Sequence, residues 1–180
     1  MTSRYTATAI SLHWLIAIGI AGTFSLGVYM HELPLSPTKL QLYSWHKWAG
    51  VTLFALVLVR LLWRATHAAP ALPVDTPRVQ RLAASATHWV LYALMIAVPL
   101  SGWLMSSAKG FQTVWFGIVP LPDLVSKNAE LGDALKEVHE TLNLTMLGLV
   151  LLHAAAALKH HFIDRDDVLT RMLPAADRNA

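Results

Sequence analysis

The feature that most restricts this chain is a series of four long apolar segments. From Tyr5 to His31 the sequence contains no Asp, Glu, Lys or Arg, whereas a bilayer-spanning helix needs only about 20 apolar residues. The whole chain is 55% hydrophobic and 14% charged, which is typical of an integral membrane protein. We therefore predict an all-α, four-helix membrane bundle formed as a single domain by residues 1–180, with spans at about residues 7–30, 40–63, 82–107 and 133–162.

Proline-rich stretches separate the spans. "HELPLSP" ends the first span and "HAAPALPVDTP" connects the second to the third, and proline cannot continue a helix across such a stretch. The first apolar run is too long for the core of a typical signal peptide, and no small-residue cleavage site follows it. We expect this segment to be retained as a span.

The distribution of basic residues orients the bundle, because positive charge accumulates on the cytoplasmic side. With the N-terminus inside, nine basic residues fall on the inner side and five on the outer side, and all the arginines are inner. The inner set is Arg4, Arg60, Arg64, Arg78, Arg81, Lys159, Arg165, Arg171 and Arg178, and the outer set is Lys39, Lys47, Lys109, Lys127 and Lys136. Both termini are therefore predicted to be cytoplasmic.

Composition also excludes several functions. The sequence has no cysteine, which excludes disulfides, thiolate metal sites, iron–sulfur clusters and covalently attached c-type haem. The formal net charge of the chain is only +3. The basic residues of the chain do not form the cluster that nucleic-acid binding requires.

Histidines inside the apolar spans are the most informative residues. His46 and His139 both lie near the outer ends of their spans, whereas His13 lies near the inner end of the first span. His153 follows His139 by 14 residues, which places it about 21 Å further along the helix and only about 40° away in azimuth. Depth therefore pairs His46 with His139 and His13 with His153.

Two imidazole pairs at two depths are what two membrane-embedded b-type haems require, because each iron takes two facing axial ligands. Ala17, Gly50 and the alanine run after His153 leave room for a macrocycle. A single membrane histidine can also be a hydrogen-bonding or proton-relay residue. His88 could replace His13 or His153 as a ligand, although a hydrogen bond to a neighbour or to a haem propionate suits it better.

His160 and His161 end the last span on the inner side. His160 follows His153 by seven residues and continues the same helix face, whereas His161 points about 100° away. We expect His160 to bind a quinone carbonyl beside the inner haem. Anchoring at the membrane interface is the alternative for both residues and the better interpretation of His161.

Four motifs carry a resemblance to a known family. They are "ISLHW" at 10–14, "WHKWAG" at 45–50, "LKEVHETL" at 135–142, and "LHAAAALKHHF" from residue 152 with the "LTRMLP" that follows. With these motifs the chain resembles the bacterial cytochrome b561 family over nearly its whole length, and most of all its superoxide-oxidising members.

The resemblance implies two haem b groups with iron ligands at His13, His46, His139 and His153. It also implies a quinone site at His160, ubiquinone as electron acceptor and a place in the bacterial inner membrane. The expected activity is that of a superoxide oxidase, which passes electrons from superoxide to ubiquinone.

Lysines near the outer haem suit a small anionic donor, because a positive field can raise anion association rates by about tenfold or more. We predict that Lys109, Lys39 and Lys47 attract superoxide, with Lys127 and Lys136 on the same side. For any single lysine, headgroup contact is the alternative.

Two other functions are compatible with parts of this pattern. A cytochrome b subunit would keep the haems but take electrons from a partner dehydrogenase, docked on the apolar outer loop "GFQTVWFGIVPLP". A transporter or metal carrier would use the histidines as a relay, but spans one and three lack the interior carboxylates that such proteins usually carry.

Overall fold

The computed structural model describes residues 4–73 and 76–174, and these ranges are mostly helical. Within them lie four helices long and apolar enough to cross a membrane. They are α1 (Ala7–Glu32), α2 (Pro37–Thr66), α3 (Arg78–Ala108) and α4 (Ala129–Lys159). This confirms the predicted all-α membrane four-helix bundle. Helices α2, α3 and α4 begin three or four residues before the expected spans, because their first turns contain polar or charged residues that precede the apolar core.

Side-chain caps explain where three of the helices begin. Thr6, Ser36 and Asn128 each accept a hydrogen bond from the backbone N–H three residues further on. Such caps satisfy N–H groups that have no partner inside the helix. Pro37 occupies the first position of α2, where its fixed φ favours the helix and its missing N–H is not needed.

The helices pack as two hairpins. Contacts are most extensive between α3 and α4, followed by those between α1 and α2, and fewer join α2 to α3. A small buried cluster of Leu94, Val98 and Met146 lies between α3 and α4. Most large apolar side chains elsewhere are exposed, as expected for surfaces that face lipid. The seam between the hairpins is where the intramembrane histidines face one another.

A short β-hairpin lies in the outer connection between α3 and α4. Its strands, β1 (Val114–Trp115) and β2 (Val119–Pro120), pair antiparallel. Phe116 and Gly117 form the turn with φ of 51° and 71°. The loop between the paired residues Trp115 and Val119 has three residues, and phenylalanine rarely adopts positive φ. This strain requires contacts that hold the hairpin in place.

Two tryptophans fix the hairpin on α2. Trp48 donates its indole N–H to the carbonyl of Val114 over 2.6 Å. Trp115 donates in turn to the hydroxyl of Thr52 over 3.2 Å. The hairpin is therefore anchored on α2 at positions two and six residues beyond His46.

Beyond α4 the chain continues into a π-helical turn, His160–Asp164, and later a 3₁₀ turn, Thr170–Met172. This segment folds back across the inner end of the bundle. Arg4 donates to the carbonyl of Leu173 over 2.6 Å, and Trp14 donates to the carbonyl of Met172 over 2.8 Å. The two ends of the described chain therefore meet on one side of the bundle, which the charge distribution predicts to be the inner side.

Candidate functional site

The outer histidine pair has a spacing that suits a metal ion between the rings. The ring centroids of His46 on α2 and His139 on α4 lie 6.4 Å apart, and the ring planes are 84° from parallel. Two metal–nitrogen bonds of about 2 Å each, plus about 1.1 Å from each nitrogen to its ring centre, require about 6.2 Å between the centroids. The observed distance leaves room for one iron and no direct contact between the rings.

Hydrogen bonds orient the ring of His139. Its Nδ1 lies 3.0 Å from the carbonyl oxygen of Val98 and 3.0 Å from Oγ of Ser101. Ser101 itself donates to the same Val98 carbonyl over 2.7 Å. A carbonyl can only accept, so Nδ1 of His139 carries the hydrogen. The lone pair of Nε2 is then free for a metal, which is the usual arrangement of a ligating histidine.

Glycines allow both outer imidazoles to pack against neighbouring helices. A Cβ built on Gly102 of α3 would lie 3.0 Å from Cε1 of His139, and one on Gly27 of α1 would lie 3.4 Å from Cε1 of His46. Nδ1 of His46 is buried and makes no hydrogen bond within residues 4–73 and 76–174. The ring of His46 also interacts with the backbone of Thr23, and its role as an iron ligand stays a prediction.

The inner histidine pair repeats the outer spacing. The rings of His13 on α1 and His153 on α4 lie 6.3 Å apart, with their planes 72° from parallel. The ring of His88 lies only 5.2 Å from that of His153, about 1 Å too close for a metal ion between the two rings. These distances favour His13 and His153 as a ligand pair and make His88 their neighbour. That a haem iron lies between each pair stays a prediction.

Comparison with known proteins decides the family. A family model described as prokaryotic cytochrome b561 matches residues 4–175. The chain belongs to this family. The cytochrome is therefore a multi-pass membrane protein of an electron-transfer family that binds haem b, and the resemblance expected from the sequence motifs is confirmed.

Three relatives cover nearly all of the cytochrome. Cytochrome b561 homolog 2 of Escherichia coli (strain K12) is 36% identical over 94% of this chain and 91% of its own length. Cytochrome b561 homolog 1 of the same organism is 32% identical over 96% of this chain and 98% of its own. A protein of Yersinia pestis named probable superoxide oxidase CybB is 29% identical over 97% of this chain and 98% of its own.

The residues present in the cytochrome fit haem b. Each pair offers two imidazole nitrogens from different helices as iron ligands. The sequence has no cysteine, so thiolate-ligated iron centres are excluded. At the outer pair, one imidazole is oriented by a carbonyl and both are seated against glycine. These features fit histidine pairs that would hold the iron of haem b.

At the inner end, His160 forms a close pair with a carboxylate. Its Nδ1 lies 2.6 Å from Oδ2 of Asp166, and both side chains are about four-fifths buried. Arg165 has φ of 55°, and this left-handed residue turns the chain so that Asp166 returns to His160. Asp166 is itself held, because its Oδ1 accepts the backbone N–H of Val168 over 3.0 Å.

A second carboxylate, Asp164, lies 3.5 Å from Nδ1 of His160. The three groups are close enough together to suggest a metal site. However, the ammonium of Lys159 contacts both Asp164 oxygens, at 2.6 and 2.8 Å. Because a cation already neutralises Asp164, the arrangement suits a hydrogen-bonded histidine better than a bound metal ion.

Three further histidines contact residues close to them in sequence. His161 contacts the ring of Phe162, and its position at the membrane interface stays a prediction. His31 lies 3.2 Å from Glu32, and His67 stacks on Trp63 with 3.9 Å between ring centroids.

The outer lysines do not form one cluster. Lys39 donates to the carbonyl of Leu33 over 2.5 Å, at the C-terminal end of α1, where the helix dipole favours a cation. Lys47 donates to the carbonyl of Phe111 over 3.0 Å. Neither lysine forms an ion pair among the described residues, although Asp123 interacts electrostatically with Lys47, and Lys47 lies one position after His46.

Two further outer lysines are paired with carboxylates. Lys109 lies 2.9 Å from Asp133, and Lys136 lies 3.6 Å from Glu140. Both pairs are substantially exposed, so their contribution to stability is small. Their effect on the field is clearer, because each carboxylate cancels most of its lysine's charge at a distance. Lys109 is thus placed less favourably than Lys47 to attract an anion.

An arginine fastens the segment that covers the inner end. Arg171 donates to the carbonyl of Ala71 over 2.6 Å, and its second terminal nitrogen lies 2.6 Å from Asp167. The Arg171 guanidinium holds the pKa of the Asp167 carboxyl below its usual range. The pair therefore stays ionised at neutral pH and ties this segment to the connection between α2 and α3.

Proposed function

We propose that this cytochrome oxidises superoxide at its outer side and reduces ubiquinone at its inner side, as a superoxide oxidase with two haem b groups. The observation that carries the proposal is the repeated spacing of the two histidine pairs, 6.3 Å for His13 and His153 and 6.4 Å for His46 and His139. Two such centres at different depths connect the two faces of a membrane.

Haem b held by these histidine pairs would pass single electrons and would leave no open position for oxygen. The protein's part is to hold each ligand in the correct tautomer and position. The Val98 carbonyl does this for His139 by fixing hydrogen on Nδ1. Gly102 contributes by letting the imidazole sit directly against α3.

At the outer side, Lys47 and Lys39 provide positive charge, and neither forms an ion pair among the described residues, although Asp123 interacts electrostatically with Lys47. Superoxide is a one-electron reductant and an anion, and a positive field at a docking site raises the association rate of anions. The name of the Yersinia pestis relative, probable superoxide oxidase, supports superoxide as the donor. Two superoxide ions would release two molecules of oxygen and two electrons.

At the inner side, His160 and Asp166 provide a hydrogen-bond and proton-donating pair. Ubiquinone needs two electrons and two protons to become ubiquinol. With its Nδ1 held by Asp166, a protonated His160 can donate the Nε2 hydrogen to a quinone carbonyl, and the nearby carboxylate stabilises the charged imidazole. His160 then takes up a new proton from the aqueous solution on the inner side.

We place the cytochrome in the bacterial inner membrane with both termini in the cytoplasm. The arginines among residues 4–73 and 76–174 lie on the side where the described ends of the chain meet, and positive residues mark the cytoplasmic side of membrane proteins.

A second function, electron transfer between a partner dehydrogenase and quinone, is favoured by the outer connection. Phe111, Phe116 and Ile118 are 65%, 54% and 80% exposed. An exposed apolar group of this kind is also typical of a protein-docking surface. This function keeps both haems and the quinone site and changes only the donor.

Rapid mixing tests the proposed function. Purified, oxidised cytochrome is mixed with superoxide, and haem absorbance is followed with and without ubiquinone, with superoxide dismutase as control. We expect rapid haem reduction that dismutase abolishes, followed by reoxidation only when quinone is present. Haems that stay oxidised under superoxide but accept electrons from ubiquinol would instead support the electron-transfer subunit.

A further inference from the structure

The spacing of the outer and inner ligands on α4 has a counterpart on α2. His139 and His153 are 14 residues apart on α4, and Arg60 follows His46 by the same 14 residues on α2. In a helix this separation is about 21 Å of rise and about 40° of rotation. Arg60 therefore shares the face of His46 and lies at the depth of the inner histidine pair.

Hydrogen bonds confirm the depth of Arg60. Its Nη1 donates to the carbonyl of Ala9 over 3.3 Å, and its Nε donates to the hydroxyl of Tyr92 over 3.3 Å. Ala9 lies one helix turn before His13, and Tyr92 lies one turn after His88. The guanidinium is thus held between α1 and α3, within one turn of two inner histidines.

The charge of Arg60 has no anion nearby in the part of the chain that the structure describes. None of the ion pairs among residues 4–73 and 76–174 includes Arg60. A cation inside a membrane span is costly and normally faces a partner group. Its two neutral hydrogen-bond acceptors do not supply the missing negative charge.

We propose that Arg60 binds a propionate carboxylate of the inner haem and thereby raises the reduction potential of that haem above that of the outer one. The inference rests on the proposed pair of haems. A propionate is an anion that haem b would bring to this depth, and arginine binds carboxylates through paired N–H donors. A fixed positive charge beside the inner haem favours its reduced form and so directs electrons inward.

Redox titration of purified variants tests the proposal, with haem content measured in parallel. We expect Arg60→Gln to lower the midpoint potential of the inner haem, or to release that haem, while the outer haem is unchanged. Arg60→Lys keeps the charge and should preserve most of the wild-type potential. Arg78→Gln is the matched control, since it removes an exposed inner-side arginine at the start of α3, and should leave both potentials unchanged.

A His13→Ala variant identifies which titration wave belongs to the inner haem. If Arg60 only ties α1 to α3, then Arg60→Gln and Tyr92→Phe would both lower thermal stability and leave the potentials unchanged, and the proposal would be overturned. Equal shifts of both haems would overturn it as well. A wild-type protein without an inner haem would refute the proposed function itself, which is a different outcome.

Discussion

The imidazole rings of His13 and His153 lie 6.3 Å apart, although 140 positions separate them in the sequence. This pair joins the first helix to the last. The rings of His46 and His139 lie 6.4 Å apart, so two pairs on different helices have nearly the same spacing. The same kind of metal centre at both pairs would explain that agreement.

Removing one ligand should separate the two centres. We expect His139→Ala to lose the outer haem and keep the inner one, so that haem content falls from two to about one per chain. Haem extraction and optical spectra measure this, and His67→Ala, which changes an exposed histidine, is the control. Equal loss from both centres in a protein that still folds would refute the pairing.

The close approach of Gly102 to His139 predicts a steric effect. A Cβ at this position would lie 3.0 Å from Cε1 of the ring, so Gly102→Ala should displace the imidazole and weaken outer-haem binding. The strain of about 1–3 kcal/mol outweighs a gain in helix propensity of about 1 kcal/mol. Gly148→Ala is the matched control, because a Cβ there meets nothing within 4 Å. Identical thermal stability and haem content in the two variants would contradict the prediction.

The contact between His160 and Asp166 predicts a slower inner reaction. His160→Ala should retain both haems and slow quinone-dependent reoxidation by about a hundredfold. Asp166→Asn should slow it by about tenfold, since the histidine remains but its charged form is less stable. His161→Ala serves as the control. Unchanged reoxidation in the His160 variant would remove this residue from the quinone site.

The partners of the outer lysines predict which lysine contributes more to the rate of reduction by superoxide. Lys47→Gln should lower the rate constant for reduction by superoxide by about threefold at low ionic strength, and less at physiological salt, where charges are screened beyond about 8 Å. Lys109→Gln should have a smaller effect, because Asp133 already cancels most of that charge. Stopped-flow measurements across a salt series compare the two. A larger effect of Lys109→Gln than of Lys47→Gln would contradict this prediction.

Much of the fold followed from the sequence, because lipid imposes simple rules. Uninterrupted apolar length predicted the four helices, and the 14-residue interval between His139 and His153 predicted two levels on one helix face. The structure brings together the same histidine pairs that depth had suggested. Periodicity within a helix and position along a span were sufficient to predict which histidines lie close together.

The inner end could not be predicted in the same way. Asp166 reaches His160 only because a π-helical turn is followed by a left-handed Arg165, and an interval of six residues matches no regular helix face. The hydrogen bond of Trp14 could not be predicted either, since its partner is a backbone carbonyl of the segment that folds back. Contacts of this kind depend on irregular backbone, for which residue types give little signal.

The most direct test of the account is the haem stoichiometry of the purified protein. Haem is extracted and its type and amount are measured against protein concentration, with a reduced-minus-oxidised spectrum to check axial ligation. The account predicts two haem b groups per chain, both low-spin with two histidine ligands. A colourless protein, or one with a single haem in a fully folded preparation, would contradict the claim that both histidine pairs hold iron.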